Sequence, residues 1–137
     1  MNTQYKDGVF GELTYKRAWI GVTTITWGGS NIQVKLKLSA ATAEQLPSEF
    51  QKNSYAKAKT ADVLQQCIKS LQGFCNKNYN VNLNDSDIIE KLIPKTLIFA
   101  QSDYWGILFK CPWEDEILLA VKFEGASIEA GVDDILL

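Results

Sequence analysis

Apolar and polar residues alternate most regularly in two parts of this chain, one towards each end. In the first, Ala18–Trp27 is rich in Ile, Val, Thr and Trp, residue types that suit a pleated surface, and predicts a strand. Gly28 and Gly29 follow as a two-residue turn, where positive φ costs glycine nothing. Residues 32–38 return, with Ile32, Val34, Leu36 and Leu38 on one side and Gln33, Lys35 and Lys37 on the other. A Gly28-Gly29 loop sets Trp27 against Ser30, Ile25 against Ile32, Thr23 against Val34, Gly21 against Leu36 and Trp19 against Leu38. A longer loop through Asn31 shifts the pairs but keeps their parity, so Trp19 and Ile25 face inward either way. The opposite side carries Ile20, Val22, Thr24 and Thr26. It is unusually apolar for solvent and is expected to be partly covered.

The second alternating part runs from Tyr104 to the C-terminus. Residues 104–111 put Trp105, Ile107, Phe109 and Cys111 on one side, and residues 112–115 form a turn. Residues 117–124 follow with Ile117, Leu119, Val121 and Phe123 inward. Glu124-Gly125 then turns into a last short strand around Ile128. Two more strands are predicted at 9–15, with Val9, Leu13 and Tyr15 on one side, and at 96–101, turned by Ser102-Asp103.

Between these parts the spacing changes from two to that of a helix. Val63, Leu64, Cys67, Ile68, Leu71, Phe74 and Cys75 recur as one stripe over residues 61–76, with Thr60 as cap. An earlier helix begins at about Pro47, with Leu46, Phe50 and Tyr55 towards the core. The two helical segments could also form one bent helix. Residues 76–85 are a polar loop. Asp85 or Ser86 caps a short helix through Ile88, Ile89 and Leu92, which Pro94 stops. The prediction is an α+β fold: an antiparallel meander-type sheet of N-terminal hairpin strands and C-terminal strands, with one or two helices packed across one face. The 137 residues form a single domain, long enough to bury a core without metal or disulfide support.

Composition narrows the chemistry. The chain has three cysteines and no histidine, which removes His-dependent triads and mixed Cys and His zinc sites. Cys67 and Cys75 lie on the helix stripe as small core residues, and no disulfide framework is expected. No apolar run approaches the roughly 20 residues of a membrane span, and the N-terminus lacks the apolar core of a secretory signal, so a cytoplasmic protein is expected. "WGGSN" is a hairpin turn and not a phosphate loop, since its glycines sit between strands.

The formal net charge of −2 hides an uneven distribution. From Cys111 onward only Lys122 opposes Glu114, Asp115, Glu116, Glu124, Glu129, Asp133 and Asp134. Such an acidic field attracts basic partners and disfavours direct nucleic-acid binding. Glu114, Asp115 and Glu116 are consecutive and point in different directions, so they cannot all converge on one ion. They read as solvated turn acids or as partner-binding acids. Asp133 and Asp134 read either as an exposed turn before an end, Ile135, Leu136 and Leu137, that tucks into the core, or as part of the acidic patch. Among the tryptophans, Trp19, Trp27 and Trp105 are expected in the core. Trp113, beside Pro112 and three acids, is expected to be an exposed anchor of the kind found at interface centres.

The stretch "KLIPKTLIFAQSDYWGILFKCPWEDEILLAVKFEGASIEAGVDDILL" resembles the C-terminal half of a bacterial domain-of-unknown-function family. That family's pattern runs through an aromatic-Gly strand, Trp-Asp-x-Glu, an apolar strand, and a closing Gly followed by Asp-Ile. Trp113, Glu116, Gly131, Asp134 and Ile135 occupy the matching positions. "FGELTYKRAWIGVTTITWGGSNIQVKLKL" is similar to the family's Phe-Gly-x-Leu opening and its Trp-bearing hairpin. The chain departs where Glu114 replaces Asp, and where Ile117 and Leu118 follow Glu116 in place of a Gly. Members of the family resemble small cytoplasmic immunity proteins, including those of contact-dependent growth inhibition systems. The resemblance implies a bacterial toxin inhibitor with no catalytic residues, no cofactor and no metal. It would act through protein-protein interaction with a cognate toxin, expected to be a basic nuclease domain. Trp113, Glu114, Asp115, Glu116, Asp133 and Asp134 are the candidate partner-binding residues, in a monomer or weak dimer without membrane contact. Two other classes remain open at this point: a small structural or regulatory homo-oligomer, and a hydrolase using carboxylates of the tail.

Overall fold

The computed structural model describes residues 3–136. Its strands are β1 (Thr3–Asp7), β2 (Gly11–Tyr15), β3 (Ala18–Trp27), β4 (Ser30–Ser39), β5 (Ile93–Phe99), β6 (Tyr104–Lys110), β7 (Leu119–Glu124) and β8 (Ser127–Val132). They form one 8-stranded sheet in sequence order, from β1 to β8. Every neighbouring pair is antiparallel except β4 and β5, which run parallel. A parallel pair needs a crossover. Here it contains three helices: α1 (Glu49–Ala58), α2 (Ala61–Tyr79) and α3 (Asp85–Lys91). The α+β fold is as predicted, and each of the three predicted helical segments forms a helix.

The β3–β4 register is the one the diglycine turn demands. Trp27 pairs with Ser30, Ile25 with Ile32, Thr23 with Val34, Gly21 with Leu36 and Trp19 with Leu38. Gly28 and Gly29 both have positive φ, at 61° and 84°. The helices cover the face bearing Leu13, Trp19, Ile25, Val34, Leu36, Leu97, Ile107 and Val121, and the main core lies between them and the sheet. Phe99, Trp105 and Phe123 stack across β5, β6 and β7, with centroids 5.6 and 4.4 Å apart. Stacked aromatic pairs contribute beyond the area they bury.

Polar side chains fix the helices on the sheet. Fully buried Gln51 closes a capping box with Ser48, and its Nε2 donates to the carbonyls of Ser39 and Phe99, both at 3.1 Å. The start of α1 is thereby fastened across the ends of the parallel pair. The Trp27 indole donates to the carbonyls of Ile89 and Leu92 at 3.1 and 3.0 Å, which ties the hairpin tip to α3. Each bond satisfies a group that would otherwise be buried unpaired, which costs about 1–3 kcal/mol per group.

Several local expectations are corrected. β1 was not foreseen, and Val9 lies in the β1–β2 turn, 47% exposed. There the Asp7 carboxylate accepts from the amides of Val9 and Phe10 at 2.7 and 3.0 Å. Leu46 is 50% exposed and points away from the core. The helices α1 and α2 are separate: Lys59 ends the first and Thr60 caps the second. α2 runs on to Tyr79 before Asn80, in the left-handed conformation, ends it. Asn84 caps α3, not Asp85 or Ser86, and Pro94 lies inside β5 beside a register shift.

Candidate functional site

Two chain segments meet at the end of the sheet where β6 finishes and β7 begins. One is the loop 111–118. The other is the 3₁₀ turn Asp133–Leu136, which closes the chain behind β8. The Leu118 amide donates to Asp133 Oδ2 at 3.1 Å and joins the two. The turn docks on the sheet face opposite the helices. There Leu136 is buried with Ile98, Leu108 and Ala120, and Ile135 packs at the rim. Gly106 allows this approach: a Cβ there would lie 2.6 Å from both Leu136 methyls and 2.5 Å from the Val121 carbonyl oxygen. Ile135 and Leu136 therefore tuck in as one of the two readings required; Leu137 lies outside the described residues.

The candidate acids border this end without converging. Asp115, Glu116 and Asp134 are exposed, and Glu114 and Asp133 are half-buried. Among the described residues no three His, Cys, Asp or Glu side chains form a group that could hold a metal ion. None of these five carboxylates is in an ion pair among the described residues, where the one salt bridge is Lys122 with Glu124. Asp133 has a structural duty through Leu118. The other four project into solvent or towards α2.

Trp113 is corrected. It is half-buried and packs on the main core, with its ring 5.7 Å from Tyr79 at 62°. Its Nε1 is buried without a hydrogen-bond partner in the protein. Tyr79 supplies the cover that makes an exposed Trp113 impossible. The helical stripe that reaches Cys75 arrives one turn later at Tyr79, and that spacing was the signal for it.

The same corner holds three groups pushed towards their neutral forms. Burial raises the Tyr79 phenol to about 12, and the neighbouring Glu114 carboxylate adds to the shift. Burial raises the Cys75 thiol to about 11, with Cys111 contributing. Burial also raises Cys111, partly offset by the backbone amides of Trp113 and Glu114. Cys67 is raised by burial alone. All three cysteines are reduced and buried, as core residues. A thiol held neutral is a poor nucleophile.

A basic counterpart lies on the same sheet face as the 3₁₀ turn. Lys16 and Arg17, from the β2–β3 turn, join Lys35 and Lys37 of β4 around an open groove of about 370 Å³. Arg17 takes a φ of 68°, in the left-handed region that a turn of this kind more often gives to Gly or Asn. The molecule thus carries acids at the β6–β7 end of the sheet and a basic cluster at β4 and the β2–β3 turn.

Comparison of the chain with protein-family models, with curated proteins and with solved structures finds no match. No helix among the described residues is long and apolar enough to cross a membrane.

Proposed function

We propose that this protein is a cytoplasmic immunity protein that binds a cognate toxin domain and blocks it. The observation that carries the reading is the acidic end: carboxylates from two segments joined through Leu118 and Asp133 border one rim, and none of them is in an ion pair among the described residues. A nuclease channel is basic because it holds phosphates, and an unpaired acidic rim is complementary to it. Asp115, Glu116 and Asp134 would make the first electrostatic contact. Glu114, held near Tyr79, would present a fixed carboxylate closer to the core. Trp113 would act from beneath by holding the loop in shape.

The test is co-expression with the product of the neighbouring gene. A complex stable at micromolar concentration, and survival of cells that make that product, are the expected results. Replacing Glu114, Asp115 and Glu116 together by Lys should slow association at least tenfold at low salt, on the order of the steering lost with a rim charge cluster. The fold should be retained, since none of the three is in an ion pair among the described residues and what is lost inside the fold is the contact of half-buried Glu114 with the Tyr79 phenol. Unimpaired protection by the triple variant would remove the acidic end from the interface.

A further inference from the structure

A groove on the helical side of the sheet lies outside that reading. It runs between α2 and β8 and has a volume of about 410 Å³. Lys69, Gly73, Phe74 and Lys77 line it from the helix, and Ile128 and Ala130 line it from the strand. β8 is the last strand in the sheet order and pairs with β7 on one side only among the described residues. Its outward N–H and C=O groups therefore have no strand partner. Native edges are commonly blunted by proline, a bulge or a charged side chain; Ser127–Val132 has no proline and no bulge, and its one charge, Glu129, sits beside Lys122 on the sheet face away from the groove.

The helix wall is shaped for an occupant. Gly73 sits within the 19 residues of α2, and a Cβ placed there would meet nothing within 4 Å. Glycine is a poor helix residue, and no contact among the described residues calls for it here. Its effect is an open space beside half-buried Phe74 and Ile128, which is 36% exposed. Lys69, Gly73 and Lys77 are spaced four apart and share one helical ridge. Neither lysine has an ion-pair partner among the described residues.

We propose that this groove receives an extended acidic segment of a partner protein, added to β8 as a ninth strand. Main-chain hydrogen bonds to the free edge would hold it, as in other strand-addition complexes, and side-chain pockets would select it. The two lysines are about 12 Å apart along the helix at 1.5 Å per residue. Four strand residues span about 13 Å. The matching segment therefore carries carboxylates four residues apart, with an apolar side chain midway that enters the space over Gly73. A second copy of this chain fits worse. Twofold pairing of β8 with itself would bring the two α2 helices, with Lys69 and Lys77, towards each other.

The probe is the labelled peptide Thr-Val-Glu-Thr-Val-Thr-Glu-Val-Thr, titrated with the whole chain by fluorescence anisotropy. Saturable binding below about 1 mM is expected, with Lys in place of both Glu weakening it by about tenfold or more. Amide signals of Ser127–Val132 should shift. Gly73→Phe fills the space and should abolish binding, and Lys69→Glu with Lys77→Glu should reverse the preference between the two peptides. The charge-reversed pair carries the test if the phenylalanine variant does not fold. Equal affinity for both peptides, binding retained in a folded Gly73→Phe protein, or shifts confined to the Lys16, Arg17, Lys35 and Lys37 face would overturn the proposal. So would a dimer by sedimentation that Gly73→Phe dissolves, which would assign the groove to a second copy. The outcome is independent of toxin binding at the acidic end.

Discussion

Seen from the side away from the helices, the two halves of the sheet have the same strand alternation and different surroundings. Over the middle of β5, β6 and β7 the second face is closed: Ile98, Leu108, Ala120 and Leu136 form a small core of their own. Over β3 and β4 it is open: Thr24, Thr26, Gln33 and Lys35 are exposed, and Val22 is 62% exposed. The cover on the closed half is only the four residues Asp133–Leu136. A short tail suffices because Gly106 lets Leu136 descend onto the strands, and because the Asp133 carboxylate fixes the start of the turn on Leu118. Among the described residues the open half has no equivalent segment. Its groove is walled by Lys16, Arg17, Lys35 and Lys37, whose charges favour water or an acidic surface. The covered half buries apolar surface on both faces, and the other half does so on one face alone.

Mutations can break this contrast. The largest effect is expected for Gly106→Ala, which forces a methyl against the Val121 carbonyl and Leu136. Overpacking at such a site costs about 3 kcal/mol, to be read from urea unfolding, with hydrogen exchange showing whether residues 133–136 detach first. Leu136→Ala removes the plug and leaves the backbone unstrained. It should cost about 2 kcal/mol, at the low end for a buried leucine because the cluster around it is small. Asp133→Ala leaves the Leu118 amide without its acceptor and should cost about 1 kcal/mol. Val22→Thr on the open half should change stability by less than about 0.5 kcal/mol. If Val22→Thr cost as much as Leu136→Ala, the two halves would be equally buried in solution and the contrast would fail.

Alkali gives a further handle, because it acts on the other side of the sheet. Cys75, Cys111 and Tyr79 all have raised folded values, so the unfolded chain loses its protons first. Their contribution is complete below the unfolded thiol and phenol values, about 8.5 and 10. It is lost as pH climbs towards about 11 for Cys75 and about 12 for Tyr79. Unfolding midpoints should therefore fall steadily above pH 9. The cost of Leu136→Ala should stay constant across that range, because separated sites add. Thiol reagents at pH 8 should modify the native protein far more slowly than the urea-unfolded chain.

The hairpin β3–β4 was readable to the residue, because a diglycine turn and a period of two leave one parity for every side chain. The stripe of α2 and the burial of Trp19, Trp27 and Trp105 were readable for a similar reason. β1 was not: Thr3–Asp7 has one apolar side chain, Tyr5, and owes its strand to pairing with β2. Trp113 was misread because three adjacent acids describe its neighbours in the chain and say nothing of Tyr79, which arrives from α2. The acids themselves were visible, but their gathering on one rim needed the contact between Asp133 and Leu118. The groove at Gly73 was not visible either, since it requires knowing that α2 lies beside the last strand.

The amino-acid order alone determined which residues turn, which alternate and which form the helical stripe. These depend on backbone conformation and on neighbours a few positions away. The fold decided what lies over each face: the parallel contact of β4 with β5, the sealing of one half of the back face, and the free edge of β8. Those outcomes rest on contacts between segments far apart in the chain, 61 residues for Lys35 and Thr96, where burial of shared apolar surface outweighs the entropy of closing the loop. Local pattern carries no record of that balance.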